Sequence, residues 1–240
     1  MNVADKTILI TGANRGIGRA MVHEALRRGA ERVYAGTRSG EIDLADPRVT
    51  PLTLDVTNPA QIRQAGEKIE SLDVLVNNAG IAIYDNLGDL DVIQRHLDVN
   101  LFGVLRMTQA FLPQLKRSKG AIVNHLSIVA LASLPIISGY SLSKAGALNM
   151  TQSLRAQLAT HGVGVHAVLL GPIDTDMNRG LDIPKATTAS AAQNVFDGLQ
   201  RGDEDIFPDP TSRAIAEGWR NGVAKALEHQ FAPFVPATAA

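Results

Sequence analysis

Residues 6–18 read KTILITGANRGIG, and this stretch decides the fold. A short apolar run rich in β-branched side chains ends in a turn carrying Gly12, Gly16 and Gly18, after which residues 17–28 follow helical period. The run predicts a strand, and the glycines then mark a strand-to-helix junction. Outward from it the same alternation repeats. RVYAGT, TPLTLD, DVLVNNA, GAIVNHLS, GVGVHAVLL and the short EDIF are strand candidates, and helical pattern covers 59–70, 89–116, 139–160, 189–201 and 212–230. Strands separated by segments of crossover length build a parallel sheet covered by helices on both faces, an α/β fold. No repeat or low-complexity linker divides the chain, so its 240 residues are expected to form one domain, 1–240.

Composition narrows the function. Twenty-three basic against twenty-four acidic side chains leave a net charge of −1, which gives no reason to expect nucleic acid or an anionic membrane as partner. The cluster Lys116, Arg117 and Lys119 reads as a solvated helix end. Without cysteine there are no disulfides, thiolate nucleophiles or cysteine-bound metals. The six histidines include no pair at metal-ligand spacing and no HExxH, so all of them, His125 and His166 in strands included, read as surface or satisfied core residues, and no metal is expected. The N-terminus lacks a signal-peptide pattern, and even AIVNHLSIVALASL is broken by Asn124, His125 and Ser127. A cytoplasmic protein is expected.

Glycine at 12, 16 and 18 permits a tight turn, close approach of backbone to an anion, and close helix packing, while the following helix points free N–H groups at that anion. The spacing is G-x3-G-x-G rather than the commoner G-x-G-x-x-G, and glycines also serve plain turns; the position at the first strand-to-helix junction is what selects a dinucleotide site. After the second strand an NAD site places an acid for the ribose 2′-OH, whereas here Thr37 and Arg38 stand there and Arg15 lies within the glycine turn. Two guanidinium groups suit a 2′-phosphate, so NADPH/NADP+ is expected over NADH, with two surface arginines as the other reading. Asp55 can accept from the adenine amino group or cap the helix near Pro59. Asn77, Asn78, Ala79 and Gly80 let a ribose lie against the chain or simply form a strand-end turn.

Tyr140 and Lys144 in YSLSKAG are four apart and share a helix face. An ammonium beside a phenol, together with the charge of oxidised nicotinamide, favours phenolate; a fall of about two to three pH units corresponds to roughly 3–4 kcal/mol. That makes the tyrosine a candidate general acid/base. Ser127 closes the strand GAIVNHLS and can emerge beside it at the carboxyl edge of the sheet.

TGANRGIG, LDVT, NNAG, the asparagine of VNLFG, Ser127 and YSLSK, in this order and spacing, resemble the short-chain dehydrogenase/reductase family over essentially the whole chain. The resemblance implies a Rossmann-type doubly wound domain with strand order 3-2-1-4-5-6-7 and hydride transfer from the B face of the nicotinamide. It implies that Tyr140 exchanges a proton with the substrate oxygen and Ser127 hydrogen-bonds that oxygen. Lys144 would hold the nicotinamide ribose and lower the tyrosine pKa, and Asn100 would support a water relay. Cofactor contacts fall on Gly12, Asn14, Arg15, Gly16, Ile17, Gly18, Thr37, Arg38, Asp55, Val56, Asn78, Ala79, Gly80, Tyr140 and Lys144, and on Gly171, Ile173 and Thr175 after the sixth strand. There Leu170 takes a position usually held by proline, and Leu126 replaces a frequent serine.

An NADPH-dependent carbonyl reductase acting on a small-molecule ketone or aldehyde is the expected function, with a 3-oxoacyl-carrier reductase or a non-catalytic NADPH-binding sensor as alternatives. The polar stretch 175–190 is the candidate lid over the substrate; its Leu181, Ile183 and Pro184 hint at an apolar pocket, and Arg179 and Lys185 read as solvated. In the C-terminal helix of about 212–230, Ile215, Trp219, Val223 and Leu227 form a stripe expected to pack on the protein's own core, a subunit contact being the other reading. A homodimer or homotetramer is expected from the resemblance.

Overall fold

The computed structural model describes residues 1–235. Seven strands, β1 (Thr7–Thr11), β2 (Arg32–Thr37), β3 (Val49–Thr53), β4 (Val74–Asn77), β5 (Ala121–His125), β6 (Gly164–Val168) and β7 (Asp205–Ile206), each grow out of one of the apolar runs. They form one sheet in the order β3-β2-β1-β4-β5-β6-β7, every neighbouring pair parallel, as the family resemblance implies. The helices are α1 (Gly16–Arg27), α2 (Pro59–Lys68), α3 (Leu90–Leu97), α4 (Gly103–Ser118), α5 (Ser138–Ala159), α6 (Thr188–Arg201), α7 (Pro210–Arg220) and α8 (Val223–Phe231).

Alternation along β1 feeds two cores. Ile8 and Ile10 join Val33, Val74 and Val76 on the face covered by α1 and α6, where Met21, Val22, Phe196 and Leu199 close the packing. Leu9 points the other way, with Leu75 and Ile122, against Ile62 of α2, Phe111 and Leu115 of α4 and Leu158 of α5. β1 is also where the winding reverses: Ile10 aligns with Ala35 of β2 on one side and Val76 of β4 on the other. The connections leaving the two strands diverge there, which opens a crevice at the carboxyl edge.

Two elements differ from the sequence expectation. The helix expected over 89–116 is interrupted by a five-residue π-helical turn, Asp98–Phe102, which periodicity does not signal. The C-terminal helix is two helices broken at Asn221–Gly222, and its stripe does not pack as expected: only Trp219 joins a core cluster, while Val223 is 77% and Leu227 41% exposed. Charge anchors these helices instead. Trp219 Nε1 donates to Asp205 Oδ2 at 2.7 Å, and buried Lys225 faces Glu204, Asp205 and Glu228 at 2.6, 2.9 and 2.9 Å. No helix among the described residues is long and apolar enough to cross a membrane.

Candidate active site

The glycine turn takes its form from steric need. Gly12 and Gly16 sit at φ +66° and +53°, where a side chain is strained, and a Cβ on Gly18 would run into the Gly12 carbonyl oxygen. Asn78 braces the turn from β4: its Nδ2 donates to the carbonyl oxygens of Thr11 (2.8 Å) and Gly12 (3.2 Å). Thr11 Oγ1 in turn accepts from the N–H groups of Asn78 and Ala79 at 3.0 Å. The crevice above is a cleft of about 850 Å³ running from Arg38 and Asp55 to Tyr140 and Lys144.

All the expected cofactor contacts line this cleft except Gly171 and Ile173. Gly171 is committed to the scaffold: its N–H donates to Asp209 Oδ2 at 2.8 Å, and a Cβ there would strike the same carboxylate. Ile173 is buried in the core and bridges to Ala186. Asp55 lines the cleft and does not cap α2, a task taken by Asn58, whose side chain accepts from the N–H groups of Ala60 and Gln61. Thr37 has a buried Oγ1 with no partner among the described residues, and Arg38 is exposed beside it. Arg15 reaches the other way, to Asp176 at 2.9 Å, so that the segment after β6 straps over the turn with Thr175 against Gly16. A pinched glycine turn, an orphaned hydroxyl and a free guanidinium fit a phosphorylated dinucleotide.

At the other end, α5 carries Tyr140 and Lys144 and β5 delivers Ser127. Tyr140 is half-buried, and Lys144 Nζ lies 5.6 Å from its ring centre, donating to the His125 carbonyl oxygen at 2.7 Å. Burial pushes the phenol up to about 12, with a hydrogen bond from Ser127 working against it, and pushes Lys144 down to about 8. Desolvation is the larger influence on the phenol in the protein alone, whereas the lowering expected from Lys144 together with the charge of oxidised nicotinamide belongs to the cofactor-bound site. Ser127 Oγ donates to the Leu170 carbonyl oxygen at 3.2 Å, a long contact that rotation of the hydroxyl can exchange for Tyr140 or a substrate oxygen.

Asn100 lies in the π-helical turn, fully buried. Its Oδ1 accepts from Ile81 N–H at 2.9 Å, and its Nδ2 donates to the Ile81 carbonyl oxygen at 2.9 Å and to Ser143 Oγ at 3.0 Å. It ties the chain leaving β4 to α5, one residue before Lys144. Sequence reading missed Asp85, whose two carboxylate oxygens accept the Gly139 N–H at 2.9 and 3.0 Å and so cap the catalytic helix from 54 residues away. The only local hint is that Ile137, at the N-cap of α5, has no capping side chain. His125, expected with the other histidines to be a surface or satisfied core residue, lines the cleft, and its Nε2 is buried without a partner among the described residues.

The short chain dehydrogenase family model matches residues 6–185. The chain is 34% identical to the 3-oxoacyl-[acyl-carrier-protein] reductase of Vibrio cholerae, over 80% of this chain and 83% of that one. It is 34% identical to the NADPH-dependent 1-acyldihydroxyacetone phosphate reductase of Schizosaccharomyces pombe, over 72% of this chain, a match that spans 61% of the relative's length. A short chain dehydrogenase of Burkholderia cenocepacia solved in complex with NADP superposes with a TM-score of 0.88 at 37% identity, covering 98% of this chain and 100% of that one. With its sheet order, and its glycine turn, Tyr140 and Lys144 at one cleft, the chain belongs to the short chain dehydrogenase family of oxidoreductases.

Proposed function

We infer that the protein is an NADPH-dependent carbonyl reductase, converting a ketone or aldehyde to an alcohol and reversible in principle. The observation that carries this reading is that Tyr140 and Lys144 share one cleft with the glycine turn, Thr37 and Arg38. Arg38, with Arg15 released from Asp176, would hold the 2′-phosphate, and no acid stands at the end of β2 to favour NADH. The NADP-bound neighbour and the NADPH-dependent relative support the same preference.

When bound, the cofactor supplies hydride to the carbonyl carbon. Ser127 donates a hydrogen bond to the carbonyl oxygen and orients it. Tyr140 gives up its proton to that oxygen, breaking the phenolic O–H bond as the alcohol O–H forms. A phenol near 12 is protonated at neutral pH, the form that the reduction step requires. Lys144, still largely charged at neutral pH, offsets the charge left on the phenolate, and Asn100 keeps α5 in register with the chain leaving β4.

Exposed apolar side chains favour an acyl-bearing ketone, and with it the 3-oxoacyl reductase reading. Met177 lines the cleft, Tyr84 and Leu87 flank Asp85, and Leu134 and Ile136 precede the helix that Asp85 caps. Oxidation of NADPH followed by absorbance with a panel of ketones, 3-oxoacyl thioesters included, tests the activity. Tyr140→Phe should lower turnover about 10²- to 10⁴-fold while NADPH still binds. Near-normal turnover in that variant, or a kcat/KM for NADH matching that for NADPH, overturns the assignment.

A further inference from the structure

We propose that His96 is a positioning residue for Tyr140: its ring steadies the phenol from the side, and its Nε2 pins the segment whose Asp85 caps the helix that carries the phenol. The inference rests on the reading of Tyr140 as the proton donor. It goes beyond that reading because His96 does not line the cleft and was expected only to be a surface or satisfied core histidine.

His96 lies in the last turn of α3 and is fully buried. Its Nε2 accepts the Ile83 N–H at 2.9 Å, so Nε2 is bare and Nδ1 carries the proton. Burial pushes the imidazole below the ordinary histidine value, against the pull of the Asp85 carboxylate, and the neutral form keeps that acceptor available. The ring meets that of Tyr140 in a T-shaped contact, with centroids 6.3 Å apart and planes at 65°, an arrangement in which two aromatic rings attract. It also underlies the residue before the tyrosine, since a Cβ on Gly139 would come to 3.0 Å from Nδ1.

The bond to Ile83 acts on the same target by a second route. The chain leaving β4 is secured at every second residue: Asn100 bonds both backbone groups of Ile81, His96 takes the N–H of Ile83, and Asp85 accepts the Gly139 N–H at both carboxylate oxygens. His96 and Asn100 are four residues apart, so one helical wall grips positions 81 and 83 together. Tyr140 directly follows Gly139, and its phenol is therefore fixed both by ring contact and by the capped turn beneath it. A side chain that only filled this space would be apolar. Burying an imidazole costs free energy unless its nitrogen is used, and here it is used on a segment that ends at the catalytic helix.

His96→Gln and His96→Phe separate the two contacts. The Gln amide oxygen can stand in for Nε2 and accept from Ile83 without a ring, whereas Phe keeps a ring against Tyr140 and accepts nothing. With a ketone that the parent protein reduces, kcat should fall about 10- to 100-fold in His96→Phe, the effect of a misplaced reacting group. In His96→Gln it should fall only about two- to fivefold, the worth of the ring contact. Both variants should bind NADPH with the Kd of the parent. Because the misplaced group is the proton donor, the solvent deuterium isotope effect on kcat should rise in His96→Phe. A parent-like kcat in His96→Phe, a His96→Gln no faster than His96→Phe, an unchanged isotope effect, or a loss of NADPH affinity in step with kcat would each show that His96 only fills the core, and overturns the proposal. If His96→Phe does not fold, His96→Asn, whose shorter amide cannot reach Ile83, takes its place with the same expectations. A parent protein that reduces no carbonyl compound, or a Tyr140→Phe variant with near-normal turnover, removes the acid that His96 positions, and the function reading falls together with this inference. An active parent with indifferent His96 variants leaves that reading intact and sinks only the role of His96.

Discussion

Tyr140 and Lys144 divide the pH axis between them. Burial places the phenol near 12 and the ammonium near 8, so up to about pH 7 the tyrosine is protonated and the lysine mostly charged. A lysine whose pKa is lowered is charged below that value and neutral above it. The kcat/KM for NADPH in reduction should accordingly be flat up to about pH 7, reach half its value near pH 8 and go on falling above that, as Lys144 loses the charge that holds the ribose and balances the phenolate. A profile that climbs between about pH 8 and about pH 10 would mean that phenolate is the working form, and would sink the neutral-acid mechanism. The tyrosine and lysine were legible from their spacing of four, and Ser127 from its place at the end of an apolar strand. The order of their proton affinities was not legible, because desolvation depends on what covers a side chain and not on its neighbours in sequence.

Among elements, α5 is the one on which the chemistry stands, and its first turn is held from outside. Ile137 offers no capping side chain, and Asp85 fills the gap by accepting the Gly139 N–H at both carboxylate oxygens. Glycine at 139 leaves room for this: a Cβ there would crowd the Asp85 carboxylate at 3.2 Å and His96 Nδ1 at 3.0 Å. Asp85→Ala should cost about 1 kcal/mol, the usual worth of an N-cap, and lower Tm by about 2–4 °C. Because Tyr140 follows Gly139 directly, kcat should fall as well while the Kd for NADPH holds, and Asp85→Asn, which keeps an acceptor, should recover most of both. A loss of stability with kcat intact would show that the cap supports the fold without positioning the tyrosine. The seven strands and most helices were legible because burial on both faces writes itself as apolar runs. The π-helical turn that seats Asn100, and a cap donated across 54 residues, leave no local periodicity to read.

On the scale of the whole molecule, the last two helices are joined to the sheet by charge. Arg155 of α5 bonds Asp205 Oδ1 at 2.9 Å and pairs with Glu228, while Lys225 bonds Glu204, Asp205 and Glu228. An apolar stripe at spacing of four suggested hydrophobic docking; what the sequence could not show is that Asn221–Gly222 breaks the helix and that Asp205 of β7, with Glu204 just before it, presents two acids to α8. Burial alone would raise Glu204 and Asp205. The hydrogen bonds and charges of Lys225, His229, Trp219 and Arg155 overcome it, bringing Glu204 down to about 2 and Asp205 below the ordinary carboxylate value. A depressed acid stabilises the fold above its unfolded pKa and loses that contribution as pH falls through the folded one. Lys225→Met leaves three carboxylates to share Arg155 and should cost about 3 kcal/mol at neutral pH, the penalty for stranding a buried charge. The same network dictates how that cost varies with acid. As pH falls from about 4.5 towards about 2, Glu204 and Asp205 protonate, the parent loses what the lysine supplied to them, and the gap in Tm between parent and variant should close. A gap that stays constant through this range would show that Lys225 acts through the packing of its aliphatic stem, and that the C-terminal helices are not held by charge.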